Sequence, residues 1–182
     1  IGREALAIAA ADKIAALVPQ ELLHEPGMAF LQHHQTRHLQ MRVRFGRWDE
    51  LLNAVGPAED LPHARARWLY AHGRALAARG HIKAADATLV QLRAIAENSR
   101  IRSLRLEFNT AGAVLDIAVE VLAGHIVLAK GDLPGAISHL REAVRLEDAL
   151  VYGEPPEWTV PVREELGVVL LKAGRPEEAG QV

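Results

Sequence analysis

The chain of 182 residues contains no cysteine. Disulfides, thiolate catalysis and cysteine-ligated zinc are thereby excluded. Aromatic residues make up only 4% of it, and serine is scarce. No Gly-x-Ser-x-Gly elbow, Gly-x-Gly-x-x-Gly turn or Walker-type loop occurs. The sequence signatures of hydrolase, dinucleotide and nucleotide sites are therefore missing. An excess of positive charge is missing as well, since 21 Lys and Arg face 23 Asp and Glu. A nucleic-acid binder needs a basic face to neutralise phosphates, so none is expected here. No apolar run is expected to reach the roughly 18 residues that span a bilayer, and no membrane insertion is expected. These absences do not fix a compartment.

What is present is alanine and leucine. Both are strong helix formers, and 49% of the chain is apolar by type. An internal repeat stands out. Gly73 is followed at fixed offsets by Gly80, Ala85 and Leu89; Gly124 is followed at the same offsets by Gly131, Ala136 and Leu140. Gly167, Gly174 and Ala179 begin a third copy. Glycine inside a helix costs about 1 kcal/mol relative to alanine, and is tolerated where another helix comes close. Glycine just past a helix end suits the left-handed conformation that stops it. The alanine and leucine then belong to the returning helix. Each unit reads as a helix, a tight turn and an antiparallel helix, which must stack on neighbours to bury its apolar face.

These offsets resemble the tetratricopeptide repeat, in which small residues recur at fixed places around a turn glycine. Gly73, Gly80, Ala85 and Leu92 occupy those places in one unit, and Gly124, Gly131, Ala136 and Ala143 in the next. A weaker unit has Leu39, Gly46 and Leu51, and a half-unit from Gly2 to Pro19 has Ala7, Ala11 and Ile14. The segments Phe45 to Glu50 and Tyr152 to Trp158 are similar to stretches of bacterial proteins of this class with no assigned activity. The resemblance implies an all-α, right-handed superhelical stack of antiparallel helix hairpins, an α-solenoid of four to five units. The expected units are 1–19 (half), 27–56, 62–96, 111–149 and 161–182, forming one domain. Both ends fall inside helical patterns, so the piece is expected to be excised from a longer chain, with any targeting segment outside it.

Spacing is irregular. Leu39 to Gly73 is 34 residues, but Gly73 to Gly124 is 51 and Gly124 to Gly167 is 43. The excess lies in 97–110, where Asn98 and Asn109-Thr110 suggest a break and a cap, and in 152–159, where Pro155-Pro156 stops any helix. Helices are expected over 3–17, 27–45, 48–55, 62–79, 82–96, 111–130, 133–149, 162–173 and 176–182. Pro161 is expected to open its helix at the first position.

Nine histidines is a high number. His34 and His38 share a helix face beside His33, but Arg37 and Arg42 repel a cation there, and two histidines make a weak metal motif. No metal, no cofactor and no catalytic residue are expected. His72 is expected between hairpins. The places that grip chaperone tails in some tetratricopeptide proteins hold Arg67, Tyr70 and Arg74, then Ala118, Val121 and His125, then Pro161, Glu164 and Val168. The paired asparagines of that clamp are absent. Arg67, Tyr70, Arg74, His125 and Trp158 are the candidate partner-binding residues, suited to an acidic or aromatic peptide. The competing reading makes both arginines ordinary solvated residues, and pins Trp158 to the array. Trp48 and Trp68 are expected to pack structurally. Paired acids such as Glu164-Glu165 read as solvated first-turn charges.

The expected function is a non-enzymatic protein-interaction module that binds a peptide or partner through its concave face. A spacer within a larger protein is the alternative, and a metal- or small-ligand-binding helical domain a lesser one. Uncovered end repeats suggest some self-association.

Overall fold

Alanine- and leucine-rich segments form helix after helix in the computed structural model, which describes residues 3–182. Gly2, the expected start of the half-unit, lies outside the described residues, as does Ile1. No strand occurs among the described residues, only an isolated bridge between Arg105 and Thr110. The helices are α1 (Glu4–Leu17), α2 (Ala29–Gln35), α3 (Arg37–Arg44), α4 (Trp48–Asn53), α5 (Pro62–Ala78) and α6 (Ile82–Glu97). The short α7 (Ser99–Arg102) follows, then α8 (Ala111–Ala129), α9 (Leu133–Asp148), α10 (Val162–Lys172) and α11 (Pro176–Ala179). A single 3-10 turn, Gln20–Leu22, joins α1 to α2.

The glycine pattern is visible in the backbone. Gly80 (φ +77°) and Gly131 (φ +88°) adopt the left-handed conformation that reverses the chain between α5 and α6 and between α8 and α9. The His81 and Asp132 amides then donate to the Leu76 and Val127 carbonyls, closing each turn. Ala85 and Ala136 are fully buried, where a larger side chain has no room. Each hairpin packs on the next: α5 and α6 both touch α8, α9 touches α10, and α3 touches α5. This all-helical arrangement is compatible with an α-solenoid.

Gly73 shows why a small residue is needed mid-helix. A Cβ there meets Leu122 Cδ2 of α8 at 2.8 Å; at Gly124 it meets His139 and Leu140 of α9 at 3.3 Å. Gly73→Leu is expected to cost about 3 kcal/mol in thermal unfolding, more than Gly124→Leu, because overpacking displaces a buried leucine. Equal melting of Gly73→Leu and wild type would place the interhelix contact elsewhere. Gly167 plays no such part, since its nearest neighbour is 3.8 Å away.

Three expectations need correction. The 27–45 segment is not one helix. Its chain breaks at Thr36 (φ −96°, ψ 3°), whose hydroxyl donates to the Gln32 and His33 carbonyls. Pro161 is the N-cap of α10 rather than its first residue, and the Val162 amide donates to Glu147 Oε2 at 2.9 Å. The apolar length of one segment was also understated. Despite Asp116 and Glu120, α8 is long and apolar enough to cross a membrane, with a mean hydropathy of 1.9 over an 18-residue window. About two thirds of that window is buried (67%) by neighbouring helices, so its apolarity serves the core.

Other caps follow expectation. Asn98 accepts from the Arg100 and Ile101 amides to start α7, and Thr110 accepts from the Ala113 amide to start α8. At the other end of the array, Arg42 of α3 holds Asp12 of α1 through two bonds of 2.7 and 3.1 Å, and Glu50 of α4 at 3.0 Å. Trp48 covers Gly46, and Trp68 donates to the Ala54 carbonyl at 3.1 Å, so both serve packing.

Candidate functional site

The two irregular segments are where the repeat logic ends and the site begins. Residues 103–110 and 149–161 meet and are tied by one buried carboxylate. Glu157 Oε1 accepts from the amides of Glu107 (2.9 Å), Phe108 (3.0 Å) and Asn109 (3.3 Å), while its Oε2 accepts from the Asn109 amide and side chain. Asn109 in turn donates to the Val151 carbonyl and accepts from the Val151 amide. Thr159 donates to Gln40 Oε1 of α3 at 2.7 Å. The joined segments thereby lie against α3 and α5.

Trp158 is 4% exposed and meets Tyr70 of α5 edge-on, with ring centroids 5.4 Å apart. It pins the loop to the array. Tyr70 is equally enclosed, and burial raises its hydroxyl pKa to about 12. Its oxygen accepts from Arg74 Nη1 at 2.9 Å. Arg74 Nη2 lies 2.9 Å from Glu165 Oε2 of α10, and His125 Nε2 of α8 bonds the same oxygen. Three helices thus supply a largely buried Arg74–Glu165–His125 triad.

Its electrostatics are set by mutual compensation. Burial works against the ionised Glu165, but Arg74 and His125 overcome it and hold its pKa at about 2. Burial also opposes the Arg74 cation, yet Glu165 and Tyr70 raise its pKa above the usual arginine value. His125 is lowered, first by burial and then by Arg74, despite its bond to Glu165. At neutral pH the triad holds one cation, one anion and a neutral imidazole.

The triad backs a hollow of about 330 Å3 between α3, α8 and α10. Val43, Leu128, Val160 and Val168 supply apolar wall, and Arg44, Glu164 and Lys172 supply a charged rim. Val168 is 53% exposed. Arg44 lies 3.5 Å from Glu164, whereas Lys172 has no carboxylate within 4 Å among the described residues. Such a surface can seat an apolar side chain beside a negative charge.

Of the five candidate partner-binding residues, Arg74 and His125 line this hollow. Arg67, Tyr70 and Trp158 are buried instead, so a partner cannot touch them in this conformation. The solvated reading of Arg67 and Arg74 is corrected too, as they are 2% and 6% exposed. Glu165 is no solvated first-turn acid, being a member of the triad. The buried roles of Glu157, Asn109 and Glu165 carried no signal in the sequence, because each is defined by residues 40 or more positions away.

The histidine cluster scatters. His33 Nδ1 lies 3.3 Å from His63 Nε2, His34 Nε2 lies 3.0 Å from Glu107 Oε1, and His38 Nδ1 lies 2.8 Å from the Gln35 carbonyl. No group of three metal-ligating side chains forms among the described residues. His72 sits between hairpins, stacked on Trp68 and 3.2 Å from the Leu51 carbonyl. Comparison with protein-family models, curated proteins and solved structures gives no match to this chain.

Proposed function

We propose that this chain is a non-enzymatic interaction module of the tetratricopeptide kind, which holds a peptide segment of a partner protein. The superhelical stack is part of the proposal. It is supported by equivalent glycines and alanines having equivalent backbone roles in the two central hairpins. The observation that carries the binding reading is the open hollow at the α3–α8–α10 junction, apolar inside and with Lys172 uncompensated at its charged rim. Its volume suits one or two side chains of an extended or helical segment, and Lys172 favours an acidic residue next to an apolar one. The buried triad fixes the hollow's floor, which limits the reorganisation that binding demands.

The test is selection of displayed peptides against the wild-type chain, followed by binding measurements on a Val168→Glu/Lys172→Glu variant. Both positions face the hollow, and Val168 is exposed, so the fold should survive, as far-UV circular dichroism would verify. Selected peptides should carry an apolar–acidic pair, and the variant should bind them at least about tenfold more weakly, or 1.4 kcal/mol. Failure to select any sequence, or equal binding by the variant, would remove the hollow from consideration and favour the spacer reading. Self-association is a further reading, which exposed Leu6, Leu17 and Leu171 permit; sedimentation of the same samples reports it.

A further inference from the structure

A second concentration of buried charge lies away from the hollow, on α2, α3 and α5. Arg67 is 2% exposed and Arg37 8%. Arg67 Nε donates to the Thr36 hydroxyl at 3.3 Å. The other two guanidinium nitrogens of Arg67, with Nε and Nη2 of Arg37, are buried and have no hydrogen-bond partner. The indole nitrogen of Trp158 is in the same condition. All of these are donors, and a buried donor without an acceptor is costly.

The two cations are neighbours. Burial lowers the pKa of Arg67 to about 9, and Arg37 adds to that by repulsion. Glu157, and for Arg37 also Glu107, offset part of this charge from a distance, but neither answers the guanidinium donors. Both oxygens of Glu157 are occupied by the 107–109 backbone and Asn109, and Glu107 faces His34. Among the described residues neither arginine has a carboxylate within 4 Å. These unanswered donors call for an acceptor, and one that carries negative charge also offsets the repulsion left between the two arginines. Water supplies the acceptors without the charge. His33 and His63 beside them are held neutral, first by burial and then by Arg67, so they add no competing cation.

We propose that Arg37 and Arg67 bind a small oxyanion, a phosphate or a carboxylate, beside the 149–161 segment. The oxyanion accepts from the guanidinium edges as a bidentate partner. This proposal rests on residues other than those of the hollow, and stands or falls separately from peptide binding.

The test is thermal unfolding of the intact chain at pH 7 in phosphate, sulfate or acetate, with ionic strength held constant by sodium chloride. Phosphate or acetate should raise the melting temperature saturably, by about 5 °C or more at a hundredfold excess over its Kd. The effective anion distinguishes tetrahedral from planar ligands. Arg67→Met should lose the anion response, and in chloride alone should melt no lower than wild type, because the uncompensated charge is gone. A wild-type response no greater than that of chloride overturns the proposal, as does an undiminished response in Arg67→Met. Should Arg67→Met not fold, equilibrium dialysis of wild type against radiolabelled phosphate and acetate decides alone: saturable binding at one ion per chain supports the site, and none at millimolar concentration overturns it.

Discussion

Glu157→Ala is expected to lower unfolding stability by about 3–5 kcal/mol, a large effect for a loop residue. The carboxylate is 4% exposed and accepts from three successive backbone amides and one side-chain amide. Alanine leaves those donors unanswered, at about 1–3 kcal/mol for each that stays buried. The Glu107 and Phe108 amides are less enclosed and can regain water, which keeps the total below a simple sum. Glu157→Gln retains one acceptor oxygen, and should cost roughly half as much. Urea unfolding measures both values. Hydrogen exchange adds a local readout: the 107–109 amides should exchange far faster in Glu157→Ala than those of α8. A loss under about 1 kcal/mol, with unchanged exchange, would mean that the two segments are held together by something else.

That residue also shows where sequence reading stops. The hairpins were legible because their rules are local. Gly80 and Gly131 need left-handed backbone, and Ala85 and Ala136 need to be small, whatever the partner helix is. The break at Thr36 was not legible. Residues 27–45 carry no proline or internal glycine between Met28 and Phe45, and the interruption coincides with tertiary bonds. Gln32 donates to the Leu23 carbonyl and accepts from the His63 and Ala64 amides, while His33 turns toward His63.

The site divides along the same line. Register alone put Arg67, Tyr70 and Arg74 on one side of α5, and they do share a polar neighbourhood. Whether that side meets solvent depended on 149–161, a segment without periodicity that folds back across it. Glu165 is similar. An acidic pair in a first turn is ordinary helix chemistry. Only the arrival of Arg74, 91 residues earlier in the chain, makes it a buried ion. Long-range pairing of this sort has no local composition to announce it.

Mild acid is expected to unfold the protein well before its carboxylates titrate, and buried histidines, His63 among them, are the cause. The His63 side chain is fully buried on α5, facing His33 of α2, with Arg67 on the same helix and Arg37 on α3 nearby. Burial first, and Arg67 second, depress its pKa from 6.5 to about 3. A histidine held neutral in the fold binds a proton more readily when unfolded. Its contribution is therefore complete above pH 6.5 and is lost as pH falls toward 3. The displacement corresponds to about 4–5 kcal/mol, with a slope of about 1.4 kcal/mol per pH unit from this group alone. His33, His38 and His125 are also depressed and act in the same direction. Glu165 contributes at lower pH, since a carboxyl moved from 4.5 to about 2 loses its stabilisation across that interval. Urea midpoints measured in chloride from pH 7.5 to pH 4 should fall steadily, beginning near 6.5. His63→Leu should remove about 1.4 kcal/mol per pH unit from that slope. Its Nδ1 has no partner to lose and its Nε2 only the long contact to His33, so stability at pH 7.5 should change less than stability at pH 4. A wild-type curve flat down to pH 5, or a His63→Leu curve parallel to it, would show that the imidazole is solvated and that the α2–α5 contact is looser than described.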